Sequence, residues 1–111
     1  MTGEFDAGRL AAAFSARFGR QPRLFRAPAR VNIIGEHTDY NGGFVLPVAT
    51  APYTWVAIAP RAGRTLTVYS THFADAAQFD LGAPPAPGAS GWSAYAAAVL
   101  RVLLEAGTPL Q

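Results

Sequence analysis

The sequence predicts an α+β fold, and three observations carry that prediction. Helical periodicity appears near the start and near the end of the chain. Between them lie several short runs rich in Val, Ile, Thr and aromatic residues, which suit extended structure. No helical pattern separates these runs, so the βαβα alternation of a parallel sheet is absent.

Composition sets the outer limits. The chain has 111 residues, half of them hydrophobic, with seven Phe, four Tyr and two Trp. This length suits one small domain or a piece of a larger one, and the aromatic content is far from that of a disordered segment. Nine basic residues, all Arg and scattered, stand against seven acidic ones. A net charge of +2 without a basic cluster argues against nucleic-acid binding. The absence of cysteine excludes disulfides and thiolate metal sites and permits a cytoplasmic setting. The N-terminus carries Glu4 and Asp6 and no apolar core of the signal-peptide kind. No apolar run approaches the ~20 residues of a membrane span.

The elements follow in order. Asp6 can cap a helix, and Leu10, Phe14 and Phe18 then recur at four-residue spacing up to Gly19, so a helix runs from Asp6 to Phe18. Leu24–Ala27 begins an extended segment, since Pro28 disfavours helix at Ala27. Val31–Ile34 is a second strand or its continuation. After a polar loop, Phe44–Leu46 resumes extended structure, which Pro47 confines to an edge or an end. Tyr53–Ala59 and Thr65–Thr71 are strands, and the turn residues Pro60–Arg64 between them predict an antiparallel hairpin. Gln78–Leu81 is a further short strand. Three Pro and three Gly make Gly82–Gly91 a loop. Ser90 or Ser93 then caps a helix whose apolar stripe is Tyr95, Val99, Val102, Leu103 and Ala106, stopped by Gly107 and Pro109.

The most informative stretch runs from Ala29 to Gly43. An apolar strand turns abruptly polar, places Glu36, His37 and Asp39 within four residues, and closes on Asn41-Gly42-Gly43. Ionised carboxylates accept hydrogen bonds, and neutral His both donates and accepts. Such a set suits a ligand rich in hydroxyl donors, such as a sugar. A metal is the weaker reading, because the helical His-Glu-x-x-His spacing is missing and the other histidine, His72, falls in a different predicted strand. A solvated acidic loop with His37 packed on Tyr40 is the plainest alternative. Arg30 sits six residues before Glu36, at the far end of the strand. It is either a surface residue or a fixed cation beside a phosphate, where a planar guanidinium stabilises developing charge.

The eighteen residues Arg30–Pro47, RVNIIGEHTDYNGGFVLP, strongly resemble the galactokinase signature of the GHMP kinase family. Ser70 at the end of a strand and Trp92-Ser93-Ala94-Tyr95 at a helix start resemble further family positions. The resemblance implies the α+β N-terminal domain of a GHMP kinase, similar to ribosomal protein S5 domain 2, with residues 1–111 as a truncated, galactose-binding part and the C-terminal GHMP domain absent. It implies an ATP- and magnesium-dependent kinase acting on the anomeric hydroxyl of galactose. Glu36, His37, Thr38 and Asp39 match the loop that holds the sugar, Arg30 the transition-state stabiliser, and Ser70, Trp92 and Tyr95 the nucleotide side. No metal ligand, phosphate loop or catalytic base has a match here: Ala89-Ser90-Gly91 is too short for the Gly- and Ser-rich loop, and neither Asp75 nor Asp80 has the context of the base. The family also implies a cytoplasmic protein, a monomer when complete, with no nucleic-acid or membrane partner. Two alternatives stay open: a catalytically inactive galactose- and ATP-binding regulator, or a kinase for a related sugar such as N-acetylgalactosamine. One departure is Ala29, where the family usually has Gly, so the backbone entering Arg30 is expected to differ slightly.

Residues 1–111 by themselves are therefore expected to release no ADP above background in a coupled assay with galactose and ATP. Galactose-dependent turnover by the pure 111-residue chain would overturn this expectation.

Overall fold

The computed structural model describes residues 5–35, 37, 39–83 and 91–110, with Asp39 described by its backbone alone. The chain divides into two units, residues 1–59 and 60–111.

The first unit contains helix α1 (Ala7–Phe18), strand β1 (Arg23–Ile34), a short 3-10 turn (Asp39–Asn41) and strand β2 (Leu46–Ile58). α1 forms where its capping residues allow. The Asp6 carboxylate accepts the Gly8 N–H at 2.8 Å, and Gly19 ends the helix at φ 67°, a conformation that glycine adopts without strain. Leu10, Phe14 and Phe18 are half-buried, as their spacing predicts, and the Phe14 and Phe18 rings meet at 4.7 Å. Phe5 stacks on Trp55 of β2 with centroids 4.9 Å apart.

β1 and β2 form one long antiparallel ribbon, from Arg23 opposite Ile58 to Ile34 opposite Leu46. The sequence suggested shorter pieces, broken at the prolines. The chain instead carries each break as a register shift. Pro28 pairs with Tyr53 and Ala29 with Thr50, which leaves Ala51 and Pro52 outside the ladder, joined by a cis peptide bond. Asn32 pairs with Pro47 and Ile34 with Leu46, which leaves Ile33 as the extra residue. Proline has no N–H to donate, so its place is beside such irregularities.

The second unit contains β3 (Thr65–Ser70), β4 (Asp75–Asp80) and helix α2 (Ala94–Glu105). Here the expected hairpin is corrected. β3 pairs with β4, in register from Thr65–Asp80 to Ser70–Asp75, and β2 pairs with β1. The four residues Thr71–Ala74 close the β3–β4 hairpin more tightly than Pro60–Arg64 could close one between β2 and β3, and a shorter loop loses less entropy. Ala74 takes φ 50° to make that turn, and the Leu81 N–H donates to the Arg64 carbonyl at 2.8 Å across the open end.

α2 starts after Ser93, whose side chain makes no capping bond; Ser90 lies outside the described residues. The helix stops as expected. Gly107 takes φ 75°, its N–H donates to Leu104, and the Thr108 N–H donates to Leu103, the paired bonds of a Schellman motif. The inward face differs from the expected stripe. Ala97 and Leu100 are 4% exposed, whereas Tyr95 is 84%, Val99 61% and Val102 63% exposed. With apolar residues on every side of the helix, periodicity does not select the buried face.

This assignment of faces makes a contrast measurable. Leu100→Ala should destabilise the chain by about 2–4 kcal/mol through the cavity it leaves, while Val102→Ala should stay within about 0.5 kcal/mol. Denaturant unfolding of both variants checks this, and equal losses would contradict the burial pattern.

Candidate functional site

The polar loop hangs from the end of the β1–β2 ribbon, and its base is a close approach of two backbones. Gly35 follows β1, is buried, and has φ 113°. A Cβ at Gly35 would lie 2.7 Å from Val45 Cγ1, 2.9 Å from Val45 Cα and 3.0 Å from the Phe44 carbonyl oxygen. Two independent demands, the left-handed backbone and the lack of space, therefore meet at one glycine.

Within the loop, His37 and Tyr40 hold each other. His37 Nδ1 lies 2.9 Å from the Tyr40 hydroxyl, and the rings meet edge-on with centroids 6.2 Å apart. The Asn41 side-chain amide donates to the His37 carbonyl at 2.8 Å, bridging the short turn Asp39–Asn41. The packing of His37 on Tyr40 that the sequence allowed is thus present. The residue is exposed, and an imidazole has a second ring nitrogen that can donate or accept. Phe44 is 93% exposed. Glu36 and Thr38 lie outside the described residues, as does the Asp39 side chain.

Arg30 stands in β1 opposite Ala49, four positions before Ile34, or about 13 Å along the strand at ~3.3 Å per residue. It lines an open depression with Pro28, Ala29, Pro47 and Ala49, next to the first register shift. Ala74 is the one non-glycine with positive φ among the described residues, so Ala29 keeps ordinary extended backbone. The departure from glycine at this position therefore brings no strain.

The residues expected on the nucleotide side belong to the second unit. Ser70 ends β3, and its hydroxyl accepts the Phe73 N–H at 3.3 Å. Phe73 stacks on Trp92, with centroids 6.3 Å apart and planes 15° apart. The Trp92 indole N–H donates to Asp75 Oδ2 at 3.2 Å, and Asp75 Oδ1 accepts the Ala76 N–H at 2.9 Å. Ser70 and Trp92 are thereby connected through Phe73, while Tyr95 stands exposed on the first turn of α2. His72 lies in the β3–β4 turn and not in a strand, with its ring against Phe73 at 4.8 Å. Phe73 and Asp75 had no motif to mark them, because their partners are distant in sequence. Among the described residues no group of three His, Asp or Glu is placed to hold a metal ion, and no helix is long and apolar enough to cross a membrane.

Together these features define a polar loop, rich in hydrogen-bonding groups, on a β-ribbon within an α+β chain. Residues 12–60 match the model of the galactokinase galactose-binding signature. The chain is 44% identical over 108 residues to the galactokinase of Chloroflexus aggregans, covering 96% of this chain and 28% of that protein. It is 40% identical over 111 residues to the galactokinase of Streptomyces coelicolor, covering 97% of this chain and 28% of that protein. The crystal structure of Lactococcus lactis galactokinase complexed with galactose superposes with a TM-score of 0.79 at 31% identity, covering 94% of this chain and 28% of that one. The chain is thus similar to galactokinases, with residues 12–60 matching their galactose-binding signature, and it spans about 28% of the length of the curated relatives it matches.

Gly35→Ala should damage this loop selectively. Strain at φ 113° and the clash with Val45 should destabilise the chain by about 2–4 kcal/mol, well above the roughly 1 kcal/mol of an average substitution. Gly42→Ala, at φ 72° with open space around it, should have the smaller effect. Thermal unfolding of both variants provides the comparison.

Proposed function

We propose that this chain is the sugar-binding part of a galactokinase, which transfers the γ-phosphoryl group of ATP to the anomeric hydroxyl of D-galactose and forms galactose 1-phosphate. The observation that carries the reading is the match of residues 12–60 to the galactose-binding signature, supported by the likeness to a galactokinase complexed with galactose.

In this reading Glu36, His37, Thr38 and Asp39 accept and donate hydrogen bonds to the sugar hydroxyls. Charge-assisted bonds from hydroxyls to carboxylates are the stronger members of such a set. Arg30 lies beside the transferred phosphoryl group and stabilises its charge in the transition state. Phosphoryl transfer asks little covalent work of the protein and depends on positioning and charge stabilisation. Ser70, Trp92 and Tyr95 face the nucleotide, with Trp92 as an aromatic wall for the adenine. Magnesium accompanies the ATP. In this reading its ligands belong to other parts of the protein. The setting we propose is a cytoplasmic monomer acting on free galactose.

Two substitutions in the full-length protein separate binding from chemistry. Asp39→Asn keeps the shape but replaces one acceptor oxygen with a donor. It should weaken galactose binding by roughly tenfold to a hundredfold, the equivalent of about 1.5–3 kcal/mol, and leave ATP binding near wild type. Arg30→Ala should lower kcat by two or more orders of magnitude with galactose affinity little changed, roughly the loss seen when a preorganised transition-state donor is removed. Calorimetric galactose affinity and steady-state kinetics on both variants test this. Unchanged galactose affinity in the first, or unchanged turnover in the second, would remove the assignment of that residue.

A further inference from the structure

The carboxylate of Asp75 is used twice, and neither use belongs to a strand ladder. One oxygen accepts the N–H of the next residue, Ala76, at 2.9 Å. The other accepts the indole N–H of Trp92 at 3.2 Å, across seventeen residues of chain. Asp75 is the first residue of β4, and Trp92 precedes the first turn of α2. The local bond to Ala76 limits rotation of the carboxylate, so the oxygen offered to Trp92 is held in place from its own strand. Phe73 lies nearly parallel to the indole, with centroids 6.3 Å apart. The Phe73 backbone is tied in turn to the Ser70 hydroxyl at 3.3 Å. The indole is therefore fixed at its nitrogen by Asp75 and along its ring by Phe73. An indole with both constraints has little freedom about its side-chain torsions, and a preorganised ring loses less entropy when a flat partner stacks on it.

We propose that Asp75 is a positioning residue for the nucleotide: by holding the Trp92 indole N–H, it fixes the ring as a wall for the purine. The proposal rests on the reading of Trp92 as nucleotide-facing given above. In this proposal Asp75 acts through Trp92 and not on the substrate. A plain structural staple between β4 and the start of α2 would use the same bond, so the test must read nucleotide affinity apart from stability.

The test uses the full-length protein, with KM for ATP, KM for galactose and the melting temperature measured for Asp75→Ala, Asp75→Asn, Trp92→Phe, Trp92→Ala and the double variant Asp75→Ala/Trp92→Phe. Asp75→Ala should raise KM for ATP by about tenfold, the worth of one hydrogen bond to a charged group, and leave KM for galactose unchanged. Asp75→Asn should recover most of the loss, because the amide oxygen still accepts the indole N–H. Trp92→Phe keeps a ring but has no N–H, so it should raise KM for ATP similarly, and the double variant should add nothing further. Equal changes in both KM values, a fall in melting temperature with no change in KM for ATP, or additive effects in the double variant would each overturn the proposal. If Asp75→Ala does not fold, Trp92→Phe decides, and an unchanged KM for ATP in that variant overturns it. Trp92→Ala with unchanged KM for ATP would overturn the nucleotide-facing reading of Trp92 together with the proposal. A raised KM in Trp92→Ala beside an unaffected Asp75→Ala would overturn the proposal and leave that reading standing.

Discussion

The close approach at Gly35 is the constraint on which the polar loop depends. Two strands of 12 and 13 residues must converge so that a polar loop leaves one and returns to the other within eleven residues, Gly35–Val45. They converge where no side chain intervenes, because Gly35 sits against Val45 Cα and the Phe44 carbonyl. Any Cβ there would push the strands apart at the mouth of the loop. The positions of His37, Tyr40 and Asn41 follow from this closure, since their mutual hydrogen bonds span a turn too short to adjust to a wider base.

What was legible in the sequence was local. Asp6, Gly19 and Gly107 mark helix ends through bonds to residues no more than a turn away, so their side-chain chemistry alone predicts the ends. The ribbon was harder. Pro47 reads as a strand edge or end by the rule that proline interrupts a ladder, and Pro28 and Pro52 fall under the same rule. The chain satisfies that rule by shifting register beside them, and β1 and β2 run on. Strand pairing is non-local, and so the hairpin expected between Tyr53–Ala59 and Thr65–Thr71 was assigned by the turn residues between those segments. The actual partner of β3 is Asp75–Asp80, which overlaps the weaker pattern Gln78–Leu81 and starts earlier. On α2, Tyr95, Val99 and Val102 are as apolar as Ala97 and Leu100, so composition carries no information about which face is buried.

The candidate site divides the same way. The loop Glu36–Asp39 is contiguous, and its density of hydrogen-bonding groups after an apolar strand is visible at a glance. Ser70 and Trp92 lie twenty-two residues apart and show no shared purpose in the sequence, but a path of contacts runs from Ser70 through Phe73 to Trp92 and on to Asp75. Phe73 and Asp75 escape sequence reasoning because each is ordinary alone. An exposed Phe in a turn and an Asp at a strand start acquire meaning from the ring between them.

Each unit's candidate residues are held by short-range devices: a glycine contact and a His–Tyr–Asn turn in one unit, a hairpin turn with an indole–carboxylate bond in the other. A hydrophobic core supports them little. Among the described residues, Ala97 and Leu100 are the hydrophobic residues that are buried, and Val31, Ile33, Ile34 and Val48 of the ribbon lie open to solvent. Hydrogen bonds add only about 1 kcal/mol each net of water, so ladders and caps cannot by themselves replace apolar burial. The local geometry is thus specified more strongly than it is stabilised. The curated relatives are more than three times as long as the segment they share with this chain.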